Sequence, residues 1–190
     1  GAKVGTSSLR RVVQLAALRP DLVVEPLRGN LDTRLRKLDE GQYDAIVLAA
    51  AGLKRLGLAS RIRSVFETDQ MLPCAGQGAL GIEVRSDNTA LLQRLATLTH
   101  RPTWLAVQAE RAVSRAMGGS CSMPLAVHAQ WRGSQLWLRA ALGHPGKPLS
   151  PLLRAEVQAA VADDAQARAL GERAAQALQS QGSAAYLAET

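Results

Sequence analysis

The residues best suited to chemistry stand at the start of the chain, where two serines, Ser7 and Ser8, precede two arginines, Arg10 and Arg11. A short apolar run ends at Val4, so the segment is predicted to form the turn between a strand and a helix. Arginine at a helix N-terminus is unfavourable by about 0.3–1 kcal/mol unless an anion lies over the turn, because the unpaired N–H groups there carry partial positive charge. Either the guanidinium groups bind a carboxylate or phosphate, or a serine caps the helix and both arginines are solvated.

Basic residues recur at two later junctions of the same kind, Arg28 and Arg34 at one and Lys54 and Arg55 at the other. Strands that alternate with helices form parallel sheets, and such sheets bind ligands beyond the carboxyl ends of their strands. The three basic junctions are therefore predicted to meet at one sheet edge. For any single arginine a solvated helix face is the simpler interpretation, whereas the set favours anion binding.

Cys121 is the second candidate for chemistry, because Gly118 and Gly119 lie just before it, between a predicted helix and a predicted strand. Glycines remove side-chain bulk and permit positive φ, so this pattern presents the thiol on an open loop. The thiol could be a covalent attachment point or a nucleophile. The nearest following histidine, His128, is seven residues away and no metal-ligand spacing is present, so local chemistry alone favours a structural cysteine.

A glycine-rich stretch over Met71–Ala79 is predicted to be a loop, followed by a short strand over Leu80–Val84. Its glycines could cradle an anion, but their spacing matches neither a P-loop nor a dinucleotide-binding motif. An interdomain crossover is the preferred interpretation. Cys74, within this stretch, is predicted to be a small buried or loop residue without chemistry.

Composition restricts the function classes. The 190 residues contain no apolar run long enough to span a membrane, and we expect no signal peptide. The two cysteines favour a reducing, cytoplasmic setting. The net charge is +7, and residues 1–68 hold twelve Lys and Arg against seven Asp and Glu. Nucleic-acid binding usually adds stacking aromatics, yet that region contains only Tyr43 and Phe66. A small polyanionic ligand fits better than a nucleic acid.

The elements predicted to position these residues form an α/β lobe over residues 1–68, a crossover strand over 69–87, and an α+β domain with a small antiparallel sheet over 88–190. Three βα units in the first part predict a doubly wound, parallel sheet. The predicted strands are Ala2–Val4, Leu22–Leu27, a buried Asp44–Leu48, a hairpin of Pro124–Trp131 and Gln135–Leu142, and Leu152–Val157. Helices are predicted over residues 8–18, 88–97, 102–116, 163–179 and 183–189. Two further helices are predicted, one with Leu31, Leu35 and Leu38 on one face that ends at Gly41, and one through Lys54 and Arg55 that stops at Gly57.

Four segments together resemble the porphobilinogen deaminase (hydroxymethylbilane synthase) family in order and spacing. They are GTSSLRR at 5–11, LRGNLDTRLRKLDEGQYDAIVLAAAGLKRLG at 27–57, LPCAGQGALGIEVR at 72–85 and AERAVSRAMGGSCSMP at 109–124. The last segment departs from the family, which often has Glu-Gly-Gly directly before the cysteine where this chain has Gly118-Gly119-Ser120.

The resemblance implies a transferase of tetrapyrrole (haem) biosynthesis. The family joins four porphobilinogen molecules head to tail into hydroxymethylbilane and releases ammonia at each condensation. It does so on a dipyrromethane cofactor bound by a thioether to a loop cysteine, which aligns with Cys121. The resemblance thus makes Cys121 an anchor and not a nucleophile of each turnover.

The resemblance also gives the arginines a role, since every pyrrole ring of the family's cofactor and growing polypyrrole carries an acetate and a propionate. Charge-assisted pairs with such carboxylates contribute about 1.5–3 kcal/mol each when desolvated. No metal is implied. The residues expected to line the cleft are Thr6, Ser8, Arg10, Arg11, Arg28, Arg34, Gly52 and Arg55.

The family fold has two lobes like those of periplasmic binding proteins and a third, cofactor-bearing domain. The resemblance matches residues 1–68 to the second lobe and the C-terminal part to the third domain. The first lobe, with the catalytic aspartate, is expected to precede residue 1, so the chain alone is expected to be inactive and the full-length protein a monomer. Asp32 and Asp44 are expected to be structural. The alternatives are a non-catalytic polycarboxylate-binding module and, less favoured, a nucleic-acid-binding protein.

Overall fold

The computed structural model describes residues 1–119 and 123–187. Its first part is a parallel three-stranded sheet in the order β2-β1-β3, with β1 in the centre. The strands alternate with helices along the chain, which confirms the predicted βα pattern. The elements are β1 (Lys3–Gly5), α1 (Leu9–Leu18), β2 (Val23–Glu25), α2 (Leu31–Asp39), β3 (Ala45–Ile46), α3 (Ala50–Arg55) and a 3₁₀ turn over Ala59–Arg61.

The outer strands of this sheet are shorter than predicted. β2 ends at Glu25 because Pro26 has no N–H to donate to a neighbouring strand. β3 is parallel to β1 as predicted, but it comprises only two residues at the sheet edge. Ala45 is exposed, so the prediction that this strand is buried is wrong. The core beneath the sheet is correspondingly small, with Val4, Leu15 and Met71 at its centre.

The segment over Leu80–Val84, predicted to be a crossover strand, pairs with no strand in the part of the chain that the structure describes. The side chain of Leu80 is 94% exposed. A strand exists only where a neighbour accepts and donates its backbone hydrogen bonds, and sequence pattern does not reveal whether that neighbour is present.

The second part confirms the predicted α+β pattern closely. An antiparallel sheet in the order β4-β5-β6 packs one face against two long helices, and the hairpin turns at Gly133, whose φ is +59°. The elements are α4 (Thr89–Ala96), α5 (Arg101–Ala116), β4 (Leu125–Arg132), β5 (Gln135–Leu142), β6 (Leu153–Ala160), α6 (Asp164–Ser180) and α7 (Ser183–Leu187).

The main hydrophobic core lies between the antiparallel sheet and helices α5 and α6. Fully buried residues such as Val113, Leu138 and Leu170 form one continuous cluster there. The two helices approach closely because Gly171 of α6 faces the backbone carbonyl of Ala109 on α5.

The segment before the glycine-rich loop joins the two sheets. The side chain of Leu72 packs against Ala126 and Ala141 on the face of the antiparallel sheet opposite the helices. The backbone N–H of Val127 donates to the carbonyl of Pro73 at 2.9 Å. The parallel sheet and the C-terminal part are therefore held in contact through residues 72 and 73. None of the described helices combines the length and the apolar character needed to span a bilayer.

Candidate functional site

The first three strand-to-helix junctions meet at the carboxyl edge of the parallel sheet. The N–H of Thr6 donates to the carbonyl of Glu25 at 2.9 Å, and that of Val47 donates to the carbonyl of Gly5 at 3.2 Å. The side chain of Ser7 donates to the carbonyl of Leu27 at 2.9 Å. These bonds bring the segments after β1, β2 and β3 side by side, as expected for parallel strands.

Neither serine caps helix α1 as predicted. Ser8 is the N-cap residue, but its side chain makes no capping hydrogen bond, and the Ser7 hydroxyl is taken by Leu27. Instead, the side-chain oxygen of Thr6 accepts from the N–H of Ser8 at 3.3 Å. Thr6 is buried and stabilises the turn through this hydrogen bond. The side chain of Ser8 lines a cavity.

Arg10 is the most enclosed of the candidate arginines, with only 9% of the residue exposed. Its Nη1 donates to the carbonyl of Leu72 at 3.0 Å, and its Nη2 donates to Oε1 of Gln77 at 3.3 Å. Burial lowers the pKa of Arg10 below its ordinary value, and the neighbouring Cys74 thiol partly opposes this. The guanidinium is thus held between helix α1 and the glycine-rich loop.

Arg11 and Arg34 lie beside Arg10 at the same edge. Arg11 donates to the carbonyl of Val47 at 2.9 Å, and Arg34 donates to that of Gly29 at 2.8 Å. The pKa of Arg11 is lowered by burial and then by the positive charges of Arg10 and Arg34. Among the described residues, no carboxylate forms an ion pair with any of the three. The result is a positively charged cluster without an internal counter-ion.

Arg28, Arg55 and Gly52 are less constrained. Arg28 and Arg55 are exposed and make no hydrogen bond or ion pair with a described residue. Arg55 stands in the last turn of α3 and not at the junction itself. Gly52 faces open space, since a Cβ added there would have no neighbour within 4 Å. The structure therefore divides the candidates into a fixed cluster and exposed outer residues.

A cavity of about 320 Å³ opens between this cluster and the C-terminal part. Arg10 is its one charged lining residue among those described. The lining consists of Ser8, Arg10, Cys74, Ala75, Ser114, Gly119, Met123, Leu125 and Val127. Cys121, the predicted attachment residue, lies outside the described residues. Gly119 and Met123, the nearest described residues on either side of it in the sequence, both line the cavity.

Cys74 lies on the predicted loop and is exposed. Its Sγ donates to Oε1 of Gln77 at 3.3 Å, the same oxygen that accepts from Arg10.

Asp44 is structural as expected, because its Oδ2 accepts from the N–H of Lys3 at 2.7 Å.

Sequence reasoning missed Glu110, which is 6% exposed. Its Oε2 accepts from the N–H of Gly76 at 2.6 Å, and its Oε1 accepts from the N–H of Ala129 at 2.7 Å. Burial raises the pKa of Glu110, and these two hydrogen bonds lower it in part. The carboxylate joins the glycine-rich loop to strand β4. Its position between Ala109 and Val113 on the apolar face of α5 was a usable signal, since an acidic residue on such a face needs buried donors.

Sequence reasoning also missed Gln14, which is 3% exposed. It lies four residues after Arg10 and therefore on the same face of α1. Its side-chain amide accepts from the N–H of Leu72 and donates to the carbonyl of the same residue.

Two family models match the chain. One is described as "Porphobilinogen deaminase, dipyromethane cofactor binding domain" and matches residues 1–93. The other is described as "Porphobilinogen deaminase, C-terminal domain" and matches residues 104–180.

Curated relatives agree with these models. A porphobilinogen deaminase of Albidiferax ferrireducens is 65% identical over 175 residues, which cover 92% of this chain and 55% of the relative. Porphobilinogen deaminases of Burkholderia mallei and Burkholderia pseudomallei are 55% identical over 187 residues, which cover 98% of this chain and 56% of each relative. The chain thus spans a little over half the length of the curated relatives it matches.

Proposed function

The chain belongs to the porphobilinogen deaminase family, and on that premise we propose that it forms the cofactor- and substrate-binding part of a hydroxymethylbilane synthase of tetrapyrrole biosynthesis. The reaction proposed is the head-to-tail condensation of porphobilinogen into hydroxymethylbilane, with release of ammonia. The observation that carries this proposal is the cluster of Arg10, Arg11 and Arg34, which has no carboxylate partner among the described residues.

Electrostatics explains why this cluster favours a polycarboxylate. Like charges held close together repel each other, and the lowered pKa of Arg11 reflects that repulsion as well as burial. A bound ligand with several carboxylates relieves the repulsion at more than one guanidinium. Porphobilinogen and polypyrroles carry an acetate and a propionate on every ring, so each added ring brings two further carboxylates.

The size and the lining of the cavity support binding of a small molecule such as a dipyrromethane group. Its volume of about 320 Å³ lies at the lower end of the range of small-molecule sites. One wall carries the Arg10 guanidinium, and the other is apolar, with Met123, Leu125 and Val127. We propose that the group is attached to Cys121, which the flanking positions of Gly119 and Met123 at the cavity support. When bound, it supplies the pyrrole to which further units are joined.

In this proposal, the residues of this chain bind and orient the carboxylates of the cofactor and the substrate. Arg10, Arg11 and Arg34 hold carboxylates in a fixed position, because the fold has already ordered their side chains against backbone carbonyls. Arg28 and Arg55 are exposed and contact additional carboxylates, and Ser8, Thr6 and Gly52 contribute hydrogen bonds or a close backbone approach.

We further propose that residues 1–68 form a lobe of the periplasmic-binding-protein type and that 69–87 cross to a sheet of another lobe. The segment around Leu80 and Ile82 supports this, because it pairs with no described strand and these two side chains are 94% and 62% exposed. No described Asp or Glu lines the cavity, so the acid–base group that the reaction needs is not among its described lining residues. We expect the purified 190-residue chain to form no hydroxymethylbilane, and formation of that product by the chain would contradict this expectation.

Intact-mass measurement tests the proposed attachment. We expect the chain isolated from cells that make hydroxymethylbilane, the proposed source of the group, to be heavier than its sequence by the mass of a dipyrromethane group, and the Cys121→Ser variant to lack the increment. The matched control is Cys74→Ser, which removes the other cysteine and should keep the increment. An increment that persists in Cys121→Ser, or that disappears only in Cys74→Ser, contradicts the proposal.

A further inference from the structure

The peptide group of Leu72 lies outside any strand but is buried, so its N–H and carbonyl need partners. Gln14 supplies both from a single side chain. Oε1 of Gln14 accepts from the N–H of Leu72 at 2.8 Å, and Nε2 donates to the carbonyl of Leu72 at 3.1 Å. The glutamine therefore does for Leu72 what a neighbouring strand would do.

The same carbonyl also fixes Arg10. Nη1 of Arg10 donates to the oxygen of Leu72 at 3.0 Å, so this oxygen accepts from both Gln14 and Arg10. Nε2 of Gln14 donates in addition to the backbone carbonyl of Arg10 at 3.1 Å. Gln14 thus contacts the backbone of Arg10 directly and its guanidinium through one shared acceptor.

We propose that Gln14 is a positioning residue that sets the direction of the Arg10 guanidinium in the carboxylate site by holding the Leu72 peptide. This inference rests on the proposed function, because it assigns Gln14 a part in the binding of carboxylates. It adds a buried residue that is not among the described residues lining the cavity.

To bind both the N–H and the carbonyl of Leu72, the side chain at position 14 must have the length of glutamine and must both donate and accept hydrogen bonds. Methionine has nearly the same length and volume but neither donates nor accepts strongly. Ionised glutamate keeps the acceptor for the N–H of Leu72 but has no donor for its carbonyl. Its negative charge would also attract the Arg10 guanidinium away from the cavity.

The test compares Gln14→Met and Gln14→Glu with the parent chain, all in the Cys121→Ser background so that no covalent group differs between samples. The first readout is the affinity for porphobilinogen, measured by calorimetry at a temperature where every variant is folded. The second readout is the guanidinium NMR signal of Arg10, which is protected from exchange when its N–H groups are hydrogen-bonded. Gln108→Met is the matched control, because Gln108 lies on helix α5 and its side chain makes no hydrogen bond with a described residue.

We expect Gln14→Met to bind about tenfold more weakly than the parent and to lose the protected Arg10 signal, as the loss of the hydrogen bonds at Leu72 predicts. Gln14→Glu should bind more weakly still, even if it is equally stable, and Gln108→Met should match the parent. If either Gln14 variant folds, keeps the Arg10 signal and binds within about twofold of the parent, the proposal is overturned.

The two readouts separate this inference from the proposed function. If the parent does not bind porphobilinogen, the proposed function fails, whereas the Arg10 signal still decides the role of Gln14. Loss of the signal in Gln14→Met then supports the positioning role, and its persistence overturns it.

Discussion

The backbone of Gly143 lies directly against the side chain of Val13, so that a Cβ added at position 143 would overlap all three outer carbons of the valine. Gly143 follows the end of strand β5, and Val13 is on helix α1, three residues after Arg10. This contact sets the distance between the antiparallel sheet and the helix that carries two of the site arginines.

Substitution of this glycine should therefore destabilise the chain. We expect Gly143→Ala to lower the free energy of unfolding by about 1–3 kcal/mol, because the added methyl group must displace α1 or β5 in a packed contact. Urea unfolding measures the change. Gly81→Ala is the control, since Gly81 has no neighbour within 4 Å of an added Cβ, and its effect should stay within about 0.5 kcal/mol. Equal stability of the two variants would show that the contact at Val13 carries no constraint.

Gly171 gives a second steric prediction, and its control substitution is expected to have the opposite effect on stability. An added Cβ there would meet the carbonyl of Ala109 and lie 2.6 Å from Cβ of Ala112. We expect Gly171→Ala to destabilise the chain by about 2 kcal/mol or more despite the better helix propensity of alanine, because backbone cannot move aside as a side chain can. Gly52→Ala, in an open helical position, should instead stabilise by up to about 1 kcal/mol. A stabilising effect at position 171 in urea unfolding would contradict the close approach of α5 and α6.

The buried Glu110 predicts a pH dependence of stability. Burial raises the pKa of this carboxyl in the folded chain, so the folded state binds its proton more tightly than the unfolded state does. Its contribution is therefore fully present below the ordinary carboxyl pKa and is lost as the pH rises through the raised value. We expect the stability of the parent relative to Glu110→Gln to fall as the pH rises above the ordinary carboxyl pKa, as measured by urea unfolding over a series of pH values.

The Glu110→Gln variant isolates this effect, since glutamine does not titrate and retains one acceptor for Gly76 or Ala129. Other carboxylates titrate equally in both proteins and cancel in the difference. A difference that is constant with pH, or that grows in favour of the parent at higher pH, would rule out a raised pKa at this position.

Substitution in the arginine cluster should change anion binding strongly and the free energy of unfolding only slightly. We expect Arg11→Met to change the free energy of unfolding by less than about 1 kcal/mol, because the lost hydrogen bond to Val47 is offset by relief of repulsion from Arg10 and Arg34. The same variant should lose most of the rise in Tm that citrate, a tricarboxylate probe, produces in the parent.

The control is Arg94→Met on helix α4, because the exposed side chain of Arg94 makes no hydrogen bond or ion pair with a described residue. It should respond to citrate as the parent does. An undiminished rise in Tm for Arg11→Met would mean that the cluster does not bind carboxylates. Thermal unfolding with and without citrate measures both variants.

Local sequence patterns determined most of the helices, the hairpin and the basic junctions. The periodicity of Leu31, Leu35 and Leu38 and the Gly133 turn depend on interactions within a few residues, so they are readable without a fold. The family resemblance rests on motifs of the same local kind. It predicted a carboxylate-binding role for five arginines, and three of them, Arg10, Arg11 and Arg34, lie together at one sheet edge.

Tertiary structure alone decided the contacts between residues that are distant in sequence. The side chain of Gln14 is hydrogen-bonded to Leu72, which is 58 residues away in the sequence, and that of Glu110 to Gly76, which is 34 residues away. Tertiary structure also decided that the segment around Leu80 pairs with no described strand, because strand pairing requires a second backbone at hydrogen-bonding distance. The sequence specified which charges this protein carries; the fold decided that Arg10 is held by a shared carbonyl while Arg28 and Arg55 are exposed, since burial and hydrogen-bond partners are supplied by distant parts of the chain.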